Sequence, residues 1–381
     1  MMIACVADNI TSPLGMNTEE NYAAVKVGRS MLRCHEHVMG IPEPFVASMF
    51  TAEQWSRLLA VGPYTRYECL LIQAVSEALC HTDVDVSSPR VVFVVSTTKG
   101  NVELLGSADG RHMSGRADER LLLGKASQVV SGYFGNPNMP ITVSNACVSG
   151  LAAQLVAKRM LESGSYDVVV VCGADVLSRF IIAGFLSLKA VSAQPCRPFD
   201  LERNGMNLGE AAACMVYQRI DNSSTAYWVP VRGAMRNDAW HISSPSPQGE
   251  GCYRALRSVM KATQPSALAC INVHGTSTLF NDEMEAVAID RAGLSAVPVN
   301  SLKGYYGHTM GASGLLETIL TMQALDHGMV VGSRGFNELG VSRRMNISSQ
   351  HRPTDKHSFV KLLSGFGGCN AAMLFQKEGQ A

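Results

Sequence analysis

The chain has no charge of one sign to spare: Lys plus Arg and Asp plus Glu each number 32 in 381 residues. That balance gives no electrostatic reason to expect nucleic acid or an anionic membrane as a partner. No apolar run approaches the roughly 20 residues that cross a bilayer. The opening Met1-Met2-Ile3-Ala4-Cys5 lacks the basic-then-apolar pattern of a secretory leader. No Cys-x-x-Cys spacing occurs among the 11 cysteines, so no metal site is expected. Their odd number and scatter point to free thiols in a reducing compartment, hence to a soluble, cytoplasmic protein. The Gly-rich run Ser364-Gly365-Phe366-Gly367-Gly368-Cys369-Asn370 lacks Gly-x-Gly-x-x-Gly and does not open an early helix, so no cofactor is expected. Charged residues make up only 17% and apolar residues 46%, which excludes disorder and supports a large buried core.

What is present alternates. Residues 90–95, 167–172, 213–217 and 269–273 read as buried strands, and 67–80, 148–163 and 314–327 read as helices. Strands alternating with helices imply an α/β protein whose sheets are covered by helices. The length exceeds one typical domain, so two halves are expected. The polar run 218–225 divides them, giving an N-terminal half over 1–225 and a C-terminal half over 226–381. No sequence repeat links the two.

The candidate chemistry centres on Cys147 in Ser144-Asn145-Ala146-Cys147-Val148-Ser149-Gly150. The β-branched run 140–143 before it reads as a buried strand, and the helix after it starts on small residues. A thiol at a helix N-terminus is expected to have a lowered pKa, and the thiolate is the attacking species. His274 emerges at the end of a strand, with Gly275 for a tight turn and hydroxyls on Thr276 and Thr278. Strand C-terminal ends are where α/β folds bind ligands. Lys303 and His308 lie on another loop, and Glu317 on the helix that follows could pair with Lys303. One Cys and two loop His residues suggest nucleophilic acyl chemistry. Six of the other eight histidines, His35, His37, His81, His112, His351 and His357, read as structural.

Together these motifs resemble the β-ketoacyl-acyl carrier protein synthase family of Cys-His-His type. Thr11-Ser12-Pro13-Leu14-Gly15, Arg197-Pro198-Phe199-Asp200 and Gly209-Glu210 fit it too, as does Asp238-Ala239-Trp240-His241, which is similar to a mobile loop over the site. The resemblance implies the thiolase-like fold, two related halves stacked in five αβαβα layers, as a homodimer or a heterodimer with a homologous synthase. It implies that Cys147 takes an acyl group from an acyl carrier protein, that His274 and His308 assist decarboxylation of a malonyl thioester, and that Lys303 with Glu317 supports them. Backbone N–H groups of Cys147 and Phe366 would form the oxyanion hole. Phe366 would gate the acyl pocket, and Thr276 and Thr278 would hold the pantetheine arm. Ser364 stands where the family often has a second Phe, which implies a wider or more polar pocket. Lys189 and Arg66 are the candidates for docking an acidic carrier. Two other readings are a coenzyme A-dependent thiolase using Cys369 as a second cysteine, and a non-catalytic chain-length partner, which would lack the nucleophile.

Overall fold

Valine runs decide the architecture. The strand Val168–Asp175 is buried at every position, so it needs apolar cover on both faces. Val169 and Val171 face one core, with the helices Ser149–Glu162 and Ser313–Asp326. Val168, Val170 and Cys172 face another, with the helices Arg66–Leu79 and Leu123–Tyr133. The computed structural model describes residues 2–106, 119–221 and 225–379. His112 and residues 222–224 of the polar run lie outside them.

The strands follow one order twice. In the first half it is Ile141–Val143, Val91–Ser96, Val168–Asp175, Ala211–Ile220, Met2–Thr11; in the second it is Pro298–Asn300, Cys270–Asn272, Ser358–Gly365, Cys369–Glu378, Tyr227–Asn237. In both, three strands run parallel and the next two pair antiparallel. Cys5 pairs with Trp228 where the halves meet. A third core on the far face of the second sheet takes the helices Glu250–Met260 and Leu279–Arg291. Helices, sheet, helices, sheet, helices is the five-layer thiolase-like fold that the sequence motifs imply.

The central layer is the tightest. Ser313–Asp326 is buried nearly all round, as a helix between the two halves of one continuous 11-stranded sheet must be. It meets Ser149–Glu162 through glycines: a Cβ on Gly314 would stand 2.3 Å from the Leu151 nitrogen. One expectation changes. Residues 140–143 read as a buried strand, but Ile141–Val143 is, among the described residues, the edge strand of the sheet and only half-buried, because it has a hydrogen-bonded neighbour there on one side alone.

Candidate active site

Loops at the C-terminal ends of the parallel strands carry the site. After Ile141–Val143 the chain turns sharply: Ala146 sits at φ +44°, a left-handed conformation uncommon for alanine. The turn is pinned by Ser149, whose Oγ donates to the Ala146 carbonyl (2.6 Å) and accepts from the Asn145 N–H (2.8 Å). Cys147 therefore sits just before the first turn of Ser149–Glu162, as the sequence reading places it. Its thiol is nevertheless buried, and burial pushes it up to about 11. Lys303, the Phe366 backbone N–H and Lys99 pull it back only in part. The expected lowered thiol pKa is thus corrected: desolvation of the anion outweighs the helix terminus and the nearby cations.

His274 follows the strand Cys270–Asn272, and its loop is fixed by a residue the sequence reading missed. Glu285 accepts the N–H groups of His274 and Gly275, each at 2.7 Å, and the amide of Asn281 at 2.9 Å. Burial still raises Glu285 to about 7. His308 follows Pro298–Asn300 and the short helix Lys303–Tyr306. Its Nδ1 accepts the Met310 N–H at 3.3 Å and lies 3.1 Å from Ser313 Oγ. In the neutral ring the proton is then on Nε2, which is buried without a partner among the described residues. His274 Nδ1 is likewise buried and unpartnered. The two rings stand edge-to-face, centroids 5.0 Å apart. Burial and then Lys303 hold both well below the usual imidazole range, so both are neutral.

The three groups converge: Cys147 Sγ and one nitrogen from each histidine lie within 4.8 Å of one another. Three such donors could hold a metal ion, but two buried lysines behind them disfavour a cation there. Lys303 is ion-paired with Glu317, as anticipated, and both are buried. Lys361, unremarked in the sequence, bonds the other Glu317 oxygen at 2.5 Å. Behind the cysteine, Asp175 accepts from Thr97 Oγ1 (2.9 Å), Thr98 Oγ1 (2.7 Å) and the Gly311 N–H (2.7 Å), tying the two halves together at the site.

A cavity of about 400 Å³ opens onto this cluster. Cys147, His274, Thr276, Thr278, Ser364 and Phe366 all line it, and the two threonine hydroxyls bond each other at 2.9 Å. Phe366 stacks on Phe185, centroids 6.0 Å apart. It stands in the turn between Ser358–Gly365 and Cys369–Glu378, where Gly367 and Gly368 take φ +81° and +74°. The turn is held by the 238–242 loop: Gly367 N–H donates to the Ile242 carbonyl (2.7 Å) and Asp238 N–H to the Gly368 carbonyl (3.0 Å). Ser364 donates to Asn370 Oδ1 at 2.8 Å. Lys189 lines the cavity and is exposed, whereas Arg66 is not among its lining residues and lies over the Trp55 ring at 5.1 Å. Cys369 is not part of the Cys147–His274–His308 cluster.

Five αβαβα layers with a cysteine and two histidines at the strand ends define a thiolase-like acyl-transfer protein. Residues 2–222 match the family profile "Beta-ketoacyl synthase, N-terminal domain" and residues 229–337 match "Beta-ketoacyl synthase, C-terminal domain". The chain belongs to the β-ketoacyl synthase family. It is 28% identical to a putative mitochondrial 3-oxoacyl-[acyl-carrier-protein] synthase of Schizosaccharomyces pombe, over 96% of each chain. It is 27% identical to 3-oxoacyl-[acyl-carrier-protein] synthase 2 of Vibrio cholerae, again over 96% of each. The tetracenomycin polyketide synthase ketoacyl synthase alpha subunit of Streptomyces glaucescens is 32% identical over 62% of this chain and 60% of its own. Among solved structures, a ketosynthase in complex with its chain length factor from Xenorhabdus doucetiae shares the fold with TM-score 0.86, at 23% identity over 99% of this chain and 98% of that one.

Proposed function

We propose that this chain is a β-ketoacyl synthase that condenses an acyl group, held on Cys147, with malonyl-acyl carrier protein, in fatty acid or polyketide-type synthesis. The observation that carries the reading is the convergence of one buried thiol and two neutral imidazoles, with Cys147 and His274 lining a cavity and His308 packed within 4.8 Å behind them. Cys147 Sγ attacks the thioester of an acyl carrier, and the carrier thiol leaves. His274, the neutral imidazole whose nitrogens are not committed as those of His308 are, is positioned to take the thiol proton, which a thiol at about 11 does not lose unaided, and to hand it to the departing carrier thiolate. Malonyl thioester then loses carbon dioxide, and the electron pair moves onto the thioester oxygen. His308 Nε2–H, already oriented by Met310 and Ser313, donates to that oxygen, and His274 is the second donor. The enolate carbon attacks the acyl-Cys147 carbonyl, whose developing oxyanion meets the N–H groups of Cys147 and Phe366. Collapse releases the Cys147 thiolate and the β-ketoacyl carrier.

The same reading gives Thr276 and Thr278 to the pantetheine arm, Phe366 and Ser364 to the acyl pocket, and Lys303 with Glu317 to support of the histidines. Lys189, exposed at the cavity, is favoured over Arg66 for docking the carrier. The half-buried edge strand Ile141–Val143 suits a dimer, with a second copy or a homologous synthase, and the halves divide near residue 225. No helix among the described residues is long and apolar enough to cross a membrane, and a cytoplasmic place fits the free thiols. The chain-length partner and the thiolase using Cys369 are the rival readings. Incubation with acyl-carrier protein should add one acyl mass to the Cys147 peptide. No adduct, or an adduct on Cys369, overturns the proposal.

A further inference from the structure

One buried lysine has no part in these steps. Lys361 stands in the strand Ser358–Gly365, beside Asn272 in the parallel register. It is fully buried, and its Nζ lies 2.5 Å from Glu317 Oε2, 2.6 Å from Asn272 Oδ1 and 3.4 Å from the carbonyl of Val273, the residue before His274. The other Glu317 oxygen is taken by Lys303. One carboxylate thus serves two ammonium groups. A strut between strand and helix needs only one lysine, and a surplus buried charge is costly unless something answers it.

We propose that Lys361 is a positioning residue of condensation: it supplies the surplus positive charge behind His274 and His308 that steadies the enolate forming at their open nitrogens. This rests on the acyl-transfer reading above. Lys303 from its short helix, Lys99 from the 97–100 turn and Lys361 act on the rings, while Glu317 from Ser313–Asp326 and Glu285 from Leu279–Arg291 act on Lys361, which burial lowers to about 8, so it is still largely protonated at neutral pH. Glu285 is committed to the His274 and Gly275 N–H groups and offsets the surplus only as it ionises. Lys361 also works against protonation of both rings, which keeps them neutral donors.

The test is Lys361→Met in the full chain, with ring titration of the histidines by NMR and malonyl-carrier decarboxylation followed against pH. The His274 and His308 midpoints should rise by about one pH unit. The acid limb of the rate should move up with them, and kcat should fall about tenfold with KM within about twofold. Glu317→Gln, which removes the shared anion, should move the same midpoints down, and it decides the matter if Lys361→Met does not fold. Midpoints that stay put in both variants, with only a loss of Tm, overturn the proposal. A parent protein that does not decarboxylate malonyl carrier overturns the acyl-transfer reading instead, while the titration still reads the field of Lys361.

Discussion

The two halves share a strand order but treat their strand ends differently. In the first half the loop after Val91–Ser96 closes on itself: Thr97, Thr98 and Lys99 spend their donors on Asp175, whose second oxygen also takes the Gly311 N–H. In the second half the loop after the corresponding strand, Cys270–Asn272, leaves His274 Nδ1 open, and the next loop leaves His308 Nε2 open. Satisfied polar groups brace, and unsatisfied buried ones store the capacity to bind what passes by. Asymmetry at equivalent positions lets one duplicated scaffold hold the proposed nucleophile on one side and its proposed donors on the other.

That division predicts unequal losses. In the proposed reaction Cys147→Ala removes the atom that carries the acyl chain, and condensation should fall by several orders of magnitude, on the order of 10⁶ for a nucleophile acting in a unit. On the same proposal His308→Ala removes one donor to the developing oxyanion, so decarboxylation should fall about 10² to 10³-fold, with acylation of Cys147 surviving in part. Stopped-flow acylation and carbon dioxide release separate the two steps. If His308→Ala blocks acylation as completely as Cys147→Ala does, the halves do not divide the work this way.

The central helices sharpen the comparison on the side of stability. They cross at Gly150 and Gly314, where added Cβ atoms would meet backbone at 2.9 Å and 2.3 Å. Gly314→Ala should destabilise the fold by about 1 to 3 kcal/mol or more through overpacking, and Gly150→Ala by less. Gly132, in the outer helix Leu123–Tyr133, has nothing among the described residues within 4 Å of its Cβ position. Gly132→Ala should instead stabilise by up to about 1 kcal/mol, the helix preference of alanine over glycine. Denaturant unfolding that ranks the three variants otherwise would place the critical approach elsewhere.

Much of this was legible before folding. The alternation of valine runs with helical segments gave the layered α/β class, and the Cys147, His274 and His308 loops announced themselves by small and polar neighbours. The duplication is carried only by the family resemblance and not by the residues themselves, because the halves repeat an apolar pattern and an order of strands rather than residue identities. Lys361 was hidden because a single lysine in Phe359-Val360-Lys361-Leu362-Leu363 looks like an outward position of a strand; only the fold shows that Glu317 lies opposite. Glu285 was hidden in the same way among exposed-looking acids of its helix. The pKa of Cys147 was misjudged because a helix terminus can be seen in a sequence and burial of the thiol cannot.

The smallest effect is expected at the proposed acyl pocket. Ser364 closes the strand Ser358–Gly365 with one hydrogen bond, to Asn370, whereas Asp175 at the end of the corresponding first-half strand is held by several. This end of the second half is therefore the looser one, two residues from the Phe366 ring that stacks on Phe185. Ser364→Ala should cost only about 0.5 to 1.5 kcal/mol, the net value of a hydrogen bond, and leave the longest acyl chains accepted. Ser364→Phe should fill space beside Cys147 and shorten the accepted chains, and Phe366→Ala should alter chain selectivity more than stability. Product chain lengths read by mass spectrometry check all three. If Ser364→Phe keeps the parent's chain profile, the hydroxyl at 364 is only a tie across the hairpin, and the pocket is bounded by other side chains.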